Sequence, residues 1–133
     1  MKLNVEQQVL VAIYTEYQKN IPNMSNITAE NLGLSKKEFF IALDKLDNER
    51  KVNNIHILRG GGSRVPASVV VQNAKISNSG IEYVEAKLGI ETTLPAKEKV
   101  QMVKNILGGI GLTALEDFIA KVIAETAVKS IGK

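Results

Sequence analysis

Between Thr28 and Tyr83 the chain strings together, in one order, the start and stop signals of a short helix, a longer helix and a hairpin. Thr28-Ala29-Glu30-Asn31-Leu32 reads as a short helix capped by Thr28 and stopped at Gly33. Ser35-Lys36-Lys37-Glu38 then sets a serine three residues before a glutamate, the spacing of a capping box. The serine oxygen accepts the otherwise unpaired N–H of the third helical residue, and the glutamate returns to the N–H of the serine. Two β-rich runs follow, joined by Leu58-Arg59-Gly60-Gly61-Gly62-Ser63-Arg64-Val65-Pro66. Helix, glycine turn, capped helix and long-tipped hairpin is the order of a winged helix-turn-helix, so the expected fold class is α+β.

Periodicity fills in the rest. A first helix is expected from about Val5 to Gln18, with Val5, Val9, Leu10, Ile13 and Tyr17 on one face. It ends before Pro22, which pushes its predecessor out of the helical region. Ile27 can form a short extra strand. The capped helix, about Lys36 to Glu49, turns Phe39, Ala42, Leu43 and Leu46 inward and Lys37, Ile41, Asp44, Lys45 and Asn48 outward. Strands are expected over 53–58 and 68–72, with Ile55/Ile57 and Val69/Val71 alternating, and a further helix over 79–88 carries Ile81, Val84 and Leu88 inward.

Past Gly89 the pattern changes. The reading is a winged-helix domain over 1–90, a linker over 91–95 and a C-terminal helical extension over 96–133. Val100, Val103, Ile106 and Leu107 stripe its first helix, and Gly108-Gly109-Ile110-Gly111 interrupts it. Thr113 and Glu116 suggest a second capping box, with a new helix from about Ala114. That helix presents Leu115, Phe118, Ile119, Val122 and Ile123 on one side. Isolated helices of this length are marginal in water, so the stripes need cover. The expectation is self-association through those five residues as a homodimer, which suits two-fold DNA readers. Packing on the same chain is the alternative.

Charge placement points to nucleic acid. The net charge of +3 permits such a partner without requiring it, but no acidic residue falls between Lys51 and Lys75, where Arg59 and Arg64 flank three glycines. A basic, flexible tip can approach phosphates or enter a narrow minor groove. On the outer helix face, Lys36, Lys37 and Lys45 suit phosphates or guanine edges, Asn48 suits adenine and Ile41 a thymine methyl. Asp44 in the middle of that face opposes this and favours a protein-binding reading. The expected site residues are therefore Lys36, Lys37, Ile41, Lys45, Asn48, Arg59 and Arg64, on double-stranded DNA, with a protein partner as the alternative.

Other chemistry is poorly served. With no cysteine and one histidine, His56, no transition-metal site can be completed, and no cofactor is expected. The triple glycine lacks the lysine-serine ending of a phosphate loop. Glu82, Glu85 and Glu91 read as solvated, Ser63, Ser77 and Ser79 lack a neighbouring base, and Tyr14, Tyr17, Phe39, Phe40 and Tyr83 read as core. Catalysis is not expected. No run approaches the roughly 20 apolar residues of a membrane span, and Met1–Gln8 holds no secretory apolar region, so a cytoplasmic location is expected.

Two stretches resemble a known family. Leu32-Gly33-Leu34-Ser35-Lys36-Lys37-Glu38-Phe39 with Leu43, and Ala74-Lys75-Ile76-Ser77-Asn78-Ser79-Gly80-Ile81-Glu82-Tyr83-Val84, look like the YjcQ-like winged-helix proteins of Gram-positive bacteria and their prophages. The second is similar to the T-x-x-G-x-x-Y-L opening of the helix after the wing, with Ser77 for threonine and Val84 for leucine. The resemblance covers about residues 1–90 and implies the fold and a bacterial or phage source. It carries no set of binding residues. Together these features predict a small DNA-binding transcriptional regulator, the alternative being a winged-helix module that binds and modulates another protein.

Overall fold

The computed structural model describes residues 2–131, with side chains through 126. The expected tail residues 132 and 133 lie outside the described residues. The chain is α+β: among the described residues, five α-helices surround two short antiparallel strand pairs. Helix α1 (Val5–Tyr17) opens on Asn4, whose side chain accepts from the N–H of Gln7 while Gln7 returns to the N–H of Asn4. Every residue of α1 from Val9 to Glu16 is buried. The expected one-faced stripe is therefore too narrow, and its aromatic is misplaced: Tyr14 is fully buried while Tyr17 is 39% exposed. The reason is tertiary, because helices on several sides enclose α1.

The predicted short helix at Thr28–Leu32 is a single turn. Thr28 Oγ1 accepts from the N–H of Asn31 as expected of a cap, but the next residues close the turn at once. Gly33 N–H donates to Glu30 O and Leu34 N–H to Ala29 O, with Gly33 at φ +67. These are the paired bonds that end a helix on a left-handed residue. No strand forms at Ile27, which is buried. Helix α2 (Lys36–Asn48) follows, with the Ser35–Glu38 capping box in place and Phe39, Ala42, Leu43 and Leu46 buried as predicted. The same terminating bonds end α2, from Arg50 N–H to Asp47 O and Lys51 N–H to Leu46 O, with Arg50 at φ +60.

The expected strand over 53–58 is broken at 54–55, the expected strand over 68–72 ends at Val70, and a further short strand forms at Lys75–Ile76. Strands β1 (Val52–Asn53) and β4 (Lys75–Ile76) pair through Val52 and Ile76, whereas β2 (His56–Leu58) and β3 (Ser68–Val70) pair through Ile57 and Val69. Residues 54–55 thus oppose 71–74, an unequal bulge marked by Asn54 at φ +62. Helix α3 (Asn78–Leu88) starts one residue earlier than predicted and ends on Gly89 at φ +70.

Helices α4 (Ala96–Leu107) and α5 (Thr113–Ile131) pack on each other, and α5 packs on α1. The first α5 bond runs from Glu116 N–H to Leu112 O, so Thr113 lies inside the helix and is not its cap. Val100, Val103, Leu107, Leu115, Phe118, Ile119 and Val122 join the same hydrophobic cluster as Leu10, Leu43 and Val84. Four of the five residues expected to pair two chains, Leu115, Phe118, Ile119 and Val122, are thereby covered within one chain, and Ile123 is half-buried. The apolar stripe that motivated a dimer is already occupied.

Two ion clusters pin this packing. Lys19 Nζ donates to Glu16 Oε2 at 2.9 Å and to Glu125 Oε2 at 2.6 Å, joining α1 to α5. Lys99 Nζ and Tyr14 Oη both reach Glu85 Oε2, at 2.8 Å each, joining α4 and α1 to α3. Glu85, read from sequence as solvated, is only 4% exposed. Burial raises the Tyr14 hydroxyl, and its bond to the Glu85 carboxylate raises it further. No helix of the described residues is long and apolar enough to cross a membrane.

Candidate nucleic-acid interface

The capping box sets where α2 begins, and the 100° step per residue then decides what it displays. Lys37, Lys45 and Asn48 are exposed on its outer side and Ile41 is half-buried among them. Lys36 is also exposed but lies one stripe over, toward Phe40 and the hairpin. Lys36, Lys37 and Lys45 make no ion pair among the described residues.

The hairpin tip runs from Arg59 to Ala67 and is closed by Ala67 N–H on Leu58 O. Gly61 and Gly62 have nothing within 4 Å of where a Cβ would stand, and Gly62 sits at φ +75. Arg64 is exposed at this open tip and unpaired among the described residues. Arg59 behaves differently. Its guanidinium grips Asp44 with both ends, Nη2 to Oδ1 at 2.7 Å and Nη1 to Oδ2 at 3.3 Å. The hydrogen bond and charge of Asp44 hold Arg59 still more firmly protonated. From the sequence, Asp44 is expected to oppose nucleic acid on the helix and Arg59 to contact phosphate. The structure brings the two together, cancels their charge and ties the root of the hairpin to α2.

The base of the hairpin is clamped by a motif whose mechanics were not visible in the sequence. Ser77 Oγ accepts from Gly80 N–H at 3.0 Å and faces the carbonyls of Arg50 and Lys51 at 2.7 and 2.9 Å. A Cβ on Gly80 would stand 2.3 Å from Lys51 O and 2.8 Å from Ile76 Cγ1. The serine and glycine of the Ser77-Asn78-Ser79-Gly80 run are thus what allow α3 to abut the start of β1.

At the far end of α2, Glu49, Lys51, Glu6 and Tyr83 border a polar pocket of about 190 Å³. Lys51 Nζ lies 2.9 Å from Glu49 Oε1 and 4.1 Å from the centre of the Tyr83 ring. Burial and then the facing Glu49 push the Glu6 carboxyl up, while contact with Glu6 and Lys51 holds Glu49 down. Lys51 is therefore engaged inside the fold. Of the basic residues in the acid-free segment, Arg64 and Lys75 remain unpaired among the described residues.

His56 is exposed on β2, and among the described residues no group of histidine and carboxylate side chains could hold a metal ion. Glu82 and Glu91 are exposed and Ser77 serves as a helix cap. Phe39 and Tyr14 are core, as expected, and Phe40 and Tyr83 are half-buried. No protein-family model, curated protein or solved structure matches the chain.

Proposed function

We propose that this chain is a winged helix-turn-helix with a C-terminal helical extension, and that it binds duplex DNA as a small transcriptional regulator of bacterial or phage origin. Helix α2 is the recognition helix, offering Lys37, Ile41, Lys45 and Asn48 to the major groove, and the β2–β3 hairpin is the wing. The observation that carries this reading is the Asp44–Arg59 pair. It neutralises the acid in the middle of the recognition face and holds the wing beside that face. Lys36, Lys37, Lys45 and Arg64 remain free to meet phosphates. The resemblance of the 32–39 and 74–84 stretches to the YjcQ-like proteins supports that source.

The test is fluorescence anisotropy of the full chain on mixed-sequence duplexes across a salt series. Four neutralised phosphates correspond to a loss of about two decades in affinity between 50 and 200 mM salt. Arg64→Ala should flatten that slope by about one unit in a folded protein. Absence of binding at low salt would remove DNA and promote the protein-partner reading.

A further inference from the structure

The strand expected at Ile27 does not form, and its absence leaves a consequence at β3. β3 pairs with β2 on one edge only. Across its other edge lies a groove of about 500 Å³, whose walls are the 25–29 segment, the start of α2 and residues Val69 to Gln72. Val69 and Val70 of β3 line it in succession, followed by Val71 and Gln72 where the chain leaves the strand. Side chains alternate faces along a strand, so consecutive lining residues mean that the edge of the backbone faces the opening. Among the described residues no main-chain hydrogen bond links 25–29 to 68–72. The groove continues past Gln72 into a second hollow of about 570 Å³, between Tyr17, Met24 and the bulge at 72–75.

The lining is apolar in its depths, with Ile27, Phe39, Phe40, Val69 and Val71. Its only charged residues are Lys36 in the first hollow and Lys75 in the second, and no carboxylate lines either. An open strand edge over an apolar trough selects an extended chain, which supplies main-chain partners and alternate apolar side chains. A cation in each hollow selects acidic flanks. We infer that this groove binds an extended apolar peptide segment with acidic residues at both ends, contributed by a partner protein and added as a strand beside β3. The site shares Lys36 with the proposed DNA reading but rests on the strand edge and its apolar trough, so it stands if that reading fails.

Amide NMR of the full chain titrated with the capped peptide Asp-Asp-Val-Thr-Val-Thr-Val-Asp-Asp tests it. The amides of 69–72 and 25–29 should shift and saturate below about a millimolar. Replacing each Asp of the peptide by Lys, or its central Val by Pro, should abolish the effect, the latter because proline cannot complete strand pairing. Lys36→Glu with Lys75→Glu, both at exposed positions, should weaken binding about tenfold. Shifts confined to other residues, equal binding of the lysine-flanked peptide, or no shift at several millimolar would overturn the inference. Shifts of 69–72 that follow protein concentration alone would assign the edge to a second copy of this chain and overturn it equally.

Discussion

Asp44→Asn is the sharpest probe of the recognition surface, because the substitution keeps shape and removes charge at one point. Asp44 is a partly exposed residue whose main described partner is Arg59. Surface changes of this kind typically alter stability by less than about 0.5 kcal/mol, so the protein should stay folded. In the native pair the two charges cancel. The variant leaves Arg59 uncompensated beside Lys37 and Lys45, able to neutralise one further phosphate. One added phosphate steepens the slope of log affinity against log salt by about 0.9. Referred to 1 M salt, where the counterion contribution vanishes, that is a gain of about 5-fold at 150 mM and about 15-fold at 50 mM. Anisotropy on a mixed-sequence duplex at several salt concentrations reads both numbers. Equal affinity and equal slope would mean that this surface does not meet DNA. Weaker binding would mean that the pair matters by holding the hairpin in position, and the charge argument would be refuted.

Three further outcomes test the fold that carries this surface. Gly80→Ala should destabilise by about 1–3 kcal/mol, since its Cβ would meet the Lys51 carbonyl at 2.3 Å; a near-unchanged melting temperature would show that α3 does not abut β1. Ile119→Ala should cost about 2–5 kcal/mol without changing the mass in light scattering, because Ile119 is fully buried within the chain; a dimer that dissociates would restore the pairing role. The third concerns acid. Burial raises Glu85, but Lys99, Tyr14 and Thr92 outweigh it and hold its carboxyl below the ordinary 4.5. A lowered folded-state pKa means stability present above the unfolded value and lost as pH falls through the folded one. Thermal melts should therefore drop as pH falls below about 4.5, and Glu85→Gln should flatten that fall; an identical acid profile in the variant would exclude Glu85 as a contributor.

Features governed by a few neighbouring residues were readable in the sequence. The Ser35–Glu38 box sets the start of α2, and the helical step from there identifies its buried residues. The short helix at Thr28 was half legible: its cap is real, but Gly33 and Leu34 terminate it within one turn. What depends on distant partners was not readable. Tyr14 is buried and Tyr17 is not because of what packs around α1, and nothing near Glu85 in sequence announces Tyr14 or Lys99. The candidate site divides in the same way. The outward lysines of α2 follow from periodicity, whereas the Arg59–Asp44 pair joins the root of the hairpin tip to the middle of a helix face 15 residues earlier.

The enclosure of α1 also sets the timing of folding. Lys19 and its partner Glu125 are 106 residues apart in the chain, so α1 is covered by a helix made about a hundred residues later. At about 5–20 residues per second of synthesis, the apolar side of α1 that α5 protects waits about 5–20 s for its cover. During that interval a nascent chain presents that apolar side to whatever hydrophobic surface is nearby. Long-range closure of this kind slows folding relative to a bundle of sequence neighbours. Chains stalled or cleaved before α5 should accordingly be aggregation-prone and depend on chaperones, even though every element from α1 to α3 is present.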